Sequence, residues 1–236
     1  YLTNLESRLM TFQKTMPLAS HILVIFLFTL FTSGGLVEAK TDTKNSAATT
    51  SVAPKKWAVI DGFRSAKFGM DKNRVKKAIG KDFKISSRKI KQTKNSLEKT
   101  EILHVTVPAL FQAGGASSVG YVFGHQSKKL MQINILWGLG ATKKVNGQDV
   151  VDAANLLRTH FAKKRYVAES MLVNQRLDAS KIIVFRGADK KGRMALLVLD
   201  TPKPLEGESL EDSAKKVSLT LSYILKPNQP DILTID

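Results

Sequence analysis

The chain has 236 residues, 37 Lys or Arg against 20 Asp or Glu, a formal net charge of +17, and no Cys. Without Cys there is no thiolate nucleophile and no Cys-ligated metal site. The positive field attracts anionic polymers and surfaces, says nothing about fold, and is screened within ~8 Å at physiological salt.

In chain order, the first feature is the apolar run Ile22 to Phe31 within HILVIFLFTLFTSGGLVEAK. As a helix this run spans only ~15 Å, half of a hydrocarbon core of roughly 30 Å. Met10 as a start, Lys14 as a positive flank, the breaker pair Gly34-Gly35 and the small-residue end Val37-Glu38-Ala39 make it a signal peptide cleaved after Ala39. Residues 1 to 9 then lie upstream of the start. A short buried helix is the competing reading. Lys40 follows the cleavage site where a lipoprotein needs Cys, so the expected product is periplasmic or secreted, with no transmembrane span after cleavage. Residues 40–100 carry 17 Lys or Arg against 5 Asp or Glu, whereas 101–236 carry 18 against 13, so the basic excess sits at the front. Residues 40–56, KTDTKNSAATTSVAPKK, hold almost no large apolar side chain and read as a flexible linker.

From Trp57 onward the periodicity changes in a repeating order. In FGMDKNRVKKAIGKDF, Asp71 is placed to cap a helix, Met70 and Val75 to staple it, and Val75, Ala78, Ile79 and Phe83 share one face. Gly80 inside it weakens the helix by ~1 kcal/mol relative to Ala. Three alternating runs follow, ILHVTV, VGYVFGH and KLMQINILW, the last placing Met131, Ile133, Ile135 and Trp137 on one face. Gly114-Gly115 and Gln126-Ser127-Lys128 supply turns between them. The second half repeats the order. NGQDVVDAANLLRTHF presents Val150, Ala153, Ala154, Leu157 and Phe161 on one helical face, and the runs KIIVFRG, RMALLVLD and VSLTLSYIL follow as strands. DKKGR is a hairpin turn and TPKPLEGESLEDSAKK a long loop. The expected fold is α+β, built as two αβββ modules at 57–140 and 141–236, each a short helix on an antiparallel sheet. A single mixed domain whose halves are alike by chance is the alternative.

Phe68-Gly69-Met70, a capped helix with Val75 five residues after the Met, and a three-stranded meander together resemble the modules of the β-lactamase-inhibitor-protein-like fold. That group includes secreted inhibitors made of two such modules and the small lipoprotein of the bacterial barrel-assembly machinery. The likeness covers about 70 residues of the first module and fewer of the second. The resemblance implies a bacterial envelope protein that binds other proteins. It carries no residue role over to a numbered position.

Motifs for catalysis are absent. His104, His125 and His160 lack a second ligand at a metal spacing such as HxxxH or HExxH. No GxSxG elbow occurs, and Ser86-Ser87-Arg88-Lys89 has the wrong spacing for a Ser-x-x-Lys site. WGLGATKK follows a strand but lacks the Gly-Lys-Ser/Thr ending of a P-loop, so Gly138 and Gly140 read as the turn between modules. No catalytic residue, metal ligand or cofactor is assigned. The densest charge cluster lies in KDFKISSRKIKQTKNSLEK, with Lys81, Lys84, Arg88, Lys89, Lys91, Lys94 and Lys99 against Asp82 and Glu98. It forms a basic patch suited to phosphate, lipid head groups or an acidic protein rim, or else a solvated loop. Nucleic acid is disfavoured by the export signal and by the lack of interleaved aromatic residues.

These features lead to an exported, non-enzymatic binding protein of a Gram-negative-type bacterial envelope, using a sheet face and the basic patch. Its partner is an envelope protein or an anionic envelope polymer or lipid surface. A hydrolase acting on an envelope polymer is the alternative, and a purely electrostatic polymer binder a third.

Overall fold

The computed structural model describes residues 55–234. The expected signal peptide, with its apolar run and the Ala39 site, and all but the last two residues of the 40–56 linker lie outside the described residues. A short hairpin, β1 (Gly62–Phe63) with β2 (Ala66–Lys67), leads into helix α1 (Lys72–Phe83) and a 3-10 turn at Ser87–Lys89. Then come β3 (Lys91–Lys94), β4 (Glu101–Val107), β5 (Ser117–Phe123) and β6 (Leu130–Gly138). The second half has α2 (Gly147–Ala162), a 3-10 turn at Ala168–Ser170, β7 (Leu172–Arg176), β8 (Lys181–Ala188) and β9 (Met194–Asp200), with the short α3 (Leu210–Ala214) before β10 (Ser218–Ile224).

The protein is α+β, and β3 to β10 form one antiparallel sheet in the order β3-β4-β5-β6-β10-β9-β8-β7. Two separate three-stranded sheets were expected; the structure instead joins a four-stranded meander from each half along β6 and β10. The additional strands β3 and β7 are the sheet edges, and their sequences, KQTK and LVNQR, are exposed at nearly every position. An edge strand with little buried face shows no apolar alternation, which is why the pattern does not reveal it. The seam is apolar on its helix side, where Leu219 pairs with Trp137 and Leu221 with Ile135.

Helix α1 begins where Asp71 accepts a hydrogen bond from the Arg74 backbone N–H at 2.9 Å, and it buries Val75, Ala78 and Ile79. It stops at Lys84, which takes the left-handed conformation at φ 58°. Helix α2 begins at Asn146, whose side chain accepts from the Gln148 N–H at 3.0 Å, and it buries Val150, Ala153, Ala154 and Phe161. Each cap satisfies a backbone donor that the first helical turn leaves open. Between the helices runs a chain of rings, Phe83, Phe63, Tyr223, Phe161, Phe185 and Tyr166, with neighbouring centroids 4.9–6.5 Å apart. It ties both halves into one core.

One strand face differs from its expected alternation. A bulge shifts the pairing from Val122↔Gln132 to Phe123↔Leu130, so Leu130 joins the core cluster in place of Met131. A bulge inserts one residue and thereby flips the alternation beyond it.

The described segment ahead of β1 crosses to the second half. The Ala58 N–H donates to the Arg165 carbonyl at 2.8 Å, and the Arg165 N–H to the Lys56 carbonyl at 2.9 Å. The Trp57 ring receives the Arg165 guanidinium and the Lys190 ammonium, each 4.4 Å from its centroid. Nearby, buried Asp189 accepts from the backbone N–H groups of Ile60, Lys191 and Arg193, and pairs with the Arg193 guanidinium at 2.7 Å. Burial pushes the Asp189 carboxyl up, but Arg193 and these N–H groups outweigh it and hold the group below the usual carboxylate range.

Candidate functional site

The seven basic residues singled out from sequence lie along one border of the molecule. Lys81 is in the last turn of α1, Lys84 is its left-handed cap, and Arg88 and Lys89 form the following 3-10 turn. Lys91 and Lys94 begin and end edge strand β3, and Lys99, at φ 55°, lies in the β3–β4 connection. All seven are exposed, and none has an ion-pair partner among the described residues. Ile85 and Ile90 pack against the core and pin the intervening turn to the body of the protein. The stretch is therefore an ordered border rather than a loose hairpin. Lysines on an edge strand also discourage strand addition by another chain, a structural task that coexists with any binding role.

His104 adjoins this border on the sheet face opposite the helices. It pairs with Lys91 across β3–β4, and its Nε2 lies 3.0 Å from Thr93 Oγ1. Burial and then the Lys91 charge depress its pKa, so at neutral pH it is uncharged and adds nothing to the positive field. His125 donates its backbone N–H to the Asp231 carbonyl, and His160 stacks edge-on against Phe161 at 5.6 Å. The three histidines stand apart. No group of three or more His, Asp or Glu able to hold a metal occurs among the described residues.

The acids near the border are engaged structurally. Glu101 receives Lys72 at 2.6 Å and the Gln92 amide at 2.9 Å, and the Lys72 contact holds its carboxyl below the usual range. Asp71 caps α1, and the Arg74 backbone N–H lowers it likewise. Asp231 receives the Gln126 and Ser127 N–H groups at 2.8 and 2.9 Å. Gly138 and Gly140 form a turn at φ 78° and 92°, in which the Ala141 and Thr142 N–H groups both donate to the Gly138 carbonyl. Those amides point inward and cradle no phosphate. Gly138 is required for another reason: a Cβ there would meet the Val217 carbonyl oxygen at 2.2 Å.

At the opposite edge of the sheet, Arg158, Asn174 and Arg176 converge beside α2. Sequence reading passes over them because they are single polar residues in an amphipathic helix and a featureless edge strand. The one usable signal is the lack of an acid within four residues of Arg158, which leaves it without a helical partner.

No family model, curated protein or solved structure matches the chain. No helix among the described residues is long and apolar enough to cross a membrane.

Proposed function

We propose that this is an exported, non-enzymatic binding protein of a bacterial envelope, which engages an anionic partner through the basic border from Lys81 to Lys99 and the flanking sheet face of β3 and β4. The observation that carries this reading is the row of seven exposed cations along one border, none of them held in an ion pair among the described residues. Cations free of ion pairs leave a net positive field that a partner meets at this border. A paired-carboxylate hydrolase needs two neighbouring acids whose pKa values are pushed apart, whereas Asp71, Glu101 and Asp189 are each held below the usual carboxylate range by caps and ion pairs. The recurrence of helix, 3-10 turn and four-stranded meander in both halves supports a tandem repeat of one module.

Co-sedimentation with vesicles containing phosphatidylglycerol tests this. Each Lys near an anionic surface contributes ~1 kcal/mol, so the triple variant Lys89→Gln, Lys91→Gln, Lys94→Gln binds on the order of 100-fold more weakly than the parent at low salt. Equal binding by the two proteins sinks the assignment of this border.

A further inference from the structure

At the edge farthest from the basic strand, α2 and strands β7 to β9 enclose an open cavity of about 250 Å³. Its floor is apolar, formed by Ala154, Val184 and Leu199 with Val151 and Ile182 beside them. Its rim is polar and carries no acid: Asn155 and Arg158 from the helix, Asn174 and Arg176 from β7. The helix contributes through positions 151, 154, 155 and 158, which recur at i, i+3, i+4 and i+7 and so form one stripe. The sheet contributes through register: Arg176 pairs with Ile182, which in turn pairs with Leu199, so these three line up across β7, β8 and β9.

Asn174 is the irregular member. The register passes from Val173↔Phe185 to Gln175↔Ile183, skipping Asn174 and Val184, and Asn174 sits at φ 52°. Left-handed backbone costs free energy for any residue with a Cβ, and Asn tolerates it better than most. In this conformation its side-chain oxygen accepts from Arg158 Nη1 at 3.2 Å, which holds that guanidinium at the rim. Neither Arg158 nor Arg176 has an ion-pair partner among the described residues. The acid nearest Arg176 in the chain, Asp178, instead accepts from the Ser180 and Lys181 N–H groups at 2.7 and 2.8 Å.

We propose that this cavity binds a small amphipathic anion, an oxyanion head on a short alkyl tail. Arg158 and Arg176 grip the head from two sides, the Asn155 and Asn174 carboxamides surround it, and the tail lies on the apolar floor. Guanidinium groups suit carboxylate and phosphate oxygens alike through paired N–H donors. A pocket that joins an apolar floor to a few convergent polar groups is a common form of a small-ligand site. This site is independent of the basic border, which lies across the sheet.

Isothermal titration of the full chain with octanoate, octyl phosphate, octanol and inorganic phosphate tests the proposal, the first two distinguishing the head group. At least one alkyl anion binds, and octanol and inorganic phosphate bind at least about tenfold more weakly. Removing a hydrogen bond to a charged group weakens binding by ~10- to 100-fold, the loss expected for Arg176→Met, with an unchanged far-UV spectrum and melting temperature because Arg176 is exposed. The Lys89, Lys91, Lys94 triple variant binds the alkyl anion like the parent. The proposal is overturned if neither alkyl anion binds, if octanol or phosphate binds as tightly, or if either set of substitutions gives the opposite result.

Discussion

The outer corners of the two halves occupy equivalent places in the sheet and carry opposite chemistry. In the first half, Lys94 of β3 pairs with Glu101 of β4, and Glu101 draws in Lys72 and Gln92, so the corner under α1 is closed by an ion pair. In the second half, Arg176 of β7 pairs with Ile182 of β8, and the corner under α2 stays open as a cationic cavity. Each half runs from a helix through a 3-10 turn into four strands of the sheet, the second with the short α3 ahead of its last strand. One position, an acid in one half and an aliphatic residue in the other, separates a structural corner from a binding one. The shared scaffold is set by core residues, and the chemistry by a few edge positions that the core leaves free to vary.

Whether the halves form one cooperative body is decided at the seam, where the largest effect is expected. Leu221, buried and paired with Ile135 of β6 and Leu197 of β9, sits at the junction. Replacing it with Ala removes buried methyl groups and leaves a cavity, a loss of ~2–5 kcal/mol. Urea denaturation followed by far-UV circular dichroism and by Trp fluorescence should show one coincident transition at a lower midpoint. Separate transitions for the two probes would mean that the halves unfold independently and are better described as two domains.

A smaller effect is expected at Asp189, the acid that ties the segment ahead of β1 to the β8–β9 turn and has no counterpart in the first half. Asp189→Asn keeps the shape but leaves the Arg193 charge without its partner, a loss of about 3 kcal/mol at pH 7. The pH dependence gives the sign. The folded carboxyl titrates below the unfolded one, so its contribution is complete above the unfolded value of ~3.9 and fades as pH falls through the folded value. The stability gap between parent and Asp189→Asn, measured by denaturant melts from pH 7 downward, should hold steady to about pH 4 and then close. A gap that stays constant as the pH falls well below 4 would assign the loss to packing rather than charge.

Much of the scaffold was legible in the sequence, and the residues show why. Val75, Ala78 and Ile79 recur with helical spacing because α1 buries one face, and Val217, Leu219 and Leu221 alternate with serines and a threonine because their side of β10 faces the main apolar core. The edge strands were invisible because exposure on both faces erases alternation, and a continuous sheet was missed because pairing of β6 with β10, about ninety residues apart, leaves no local mark. The Met131 face was misassigned by the bulge at Phe123. The basic border was legible as charge density from Lys81 to Lys99, whereas its order came from Ile85 and Ile90, whose burial depends on tertiary packing. The cavity beneath α2 was not legible at all: it depends on Arg158 and Arg176 meeting across a helix and a strand, and on a backbone conformation at Asn174 that its identity permits without requiring.

A smaller stability change than at Leu221 or Asp189 is predicted for the substitution that most directly separates the two corners. Ile182→Glu places an acid opposite Arg176, reproducing the Lys94–Glu101 arrangement of the first half. Ile182 is only half-buried, so its replacement sacrifices a modest apolar area, and a partly exposed cross-strand ion pair returns a similar small amount. Stability measured by urea denaturation should therefore move by no more than ~1 kcal/mol. Ligand binding should respond strongly, because the new carboxylate occupies Arg176 and repels an incoming anion, lowering the affinity for octanoate or octyl phosphate by at least about tenfold. A stable Ile182→Glu protein that still binds the alkyl anion at the parent's affinity would show that the absence of an acid at this position is not what makes the second corner a binding site.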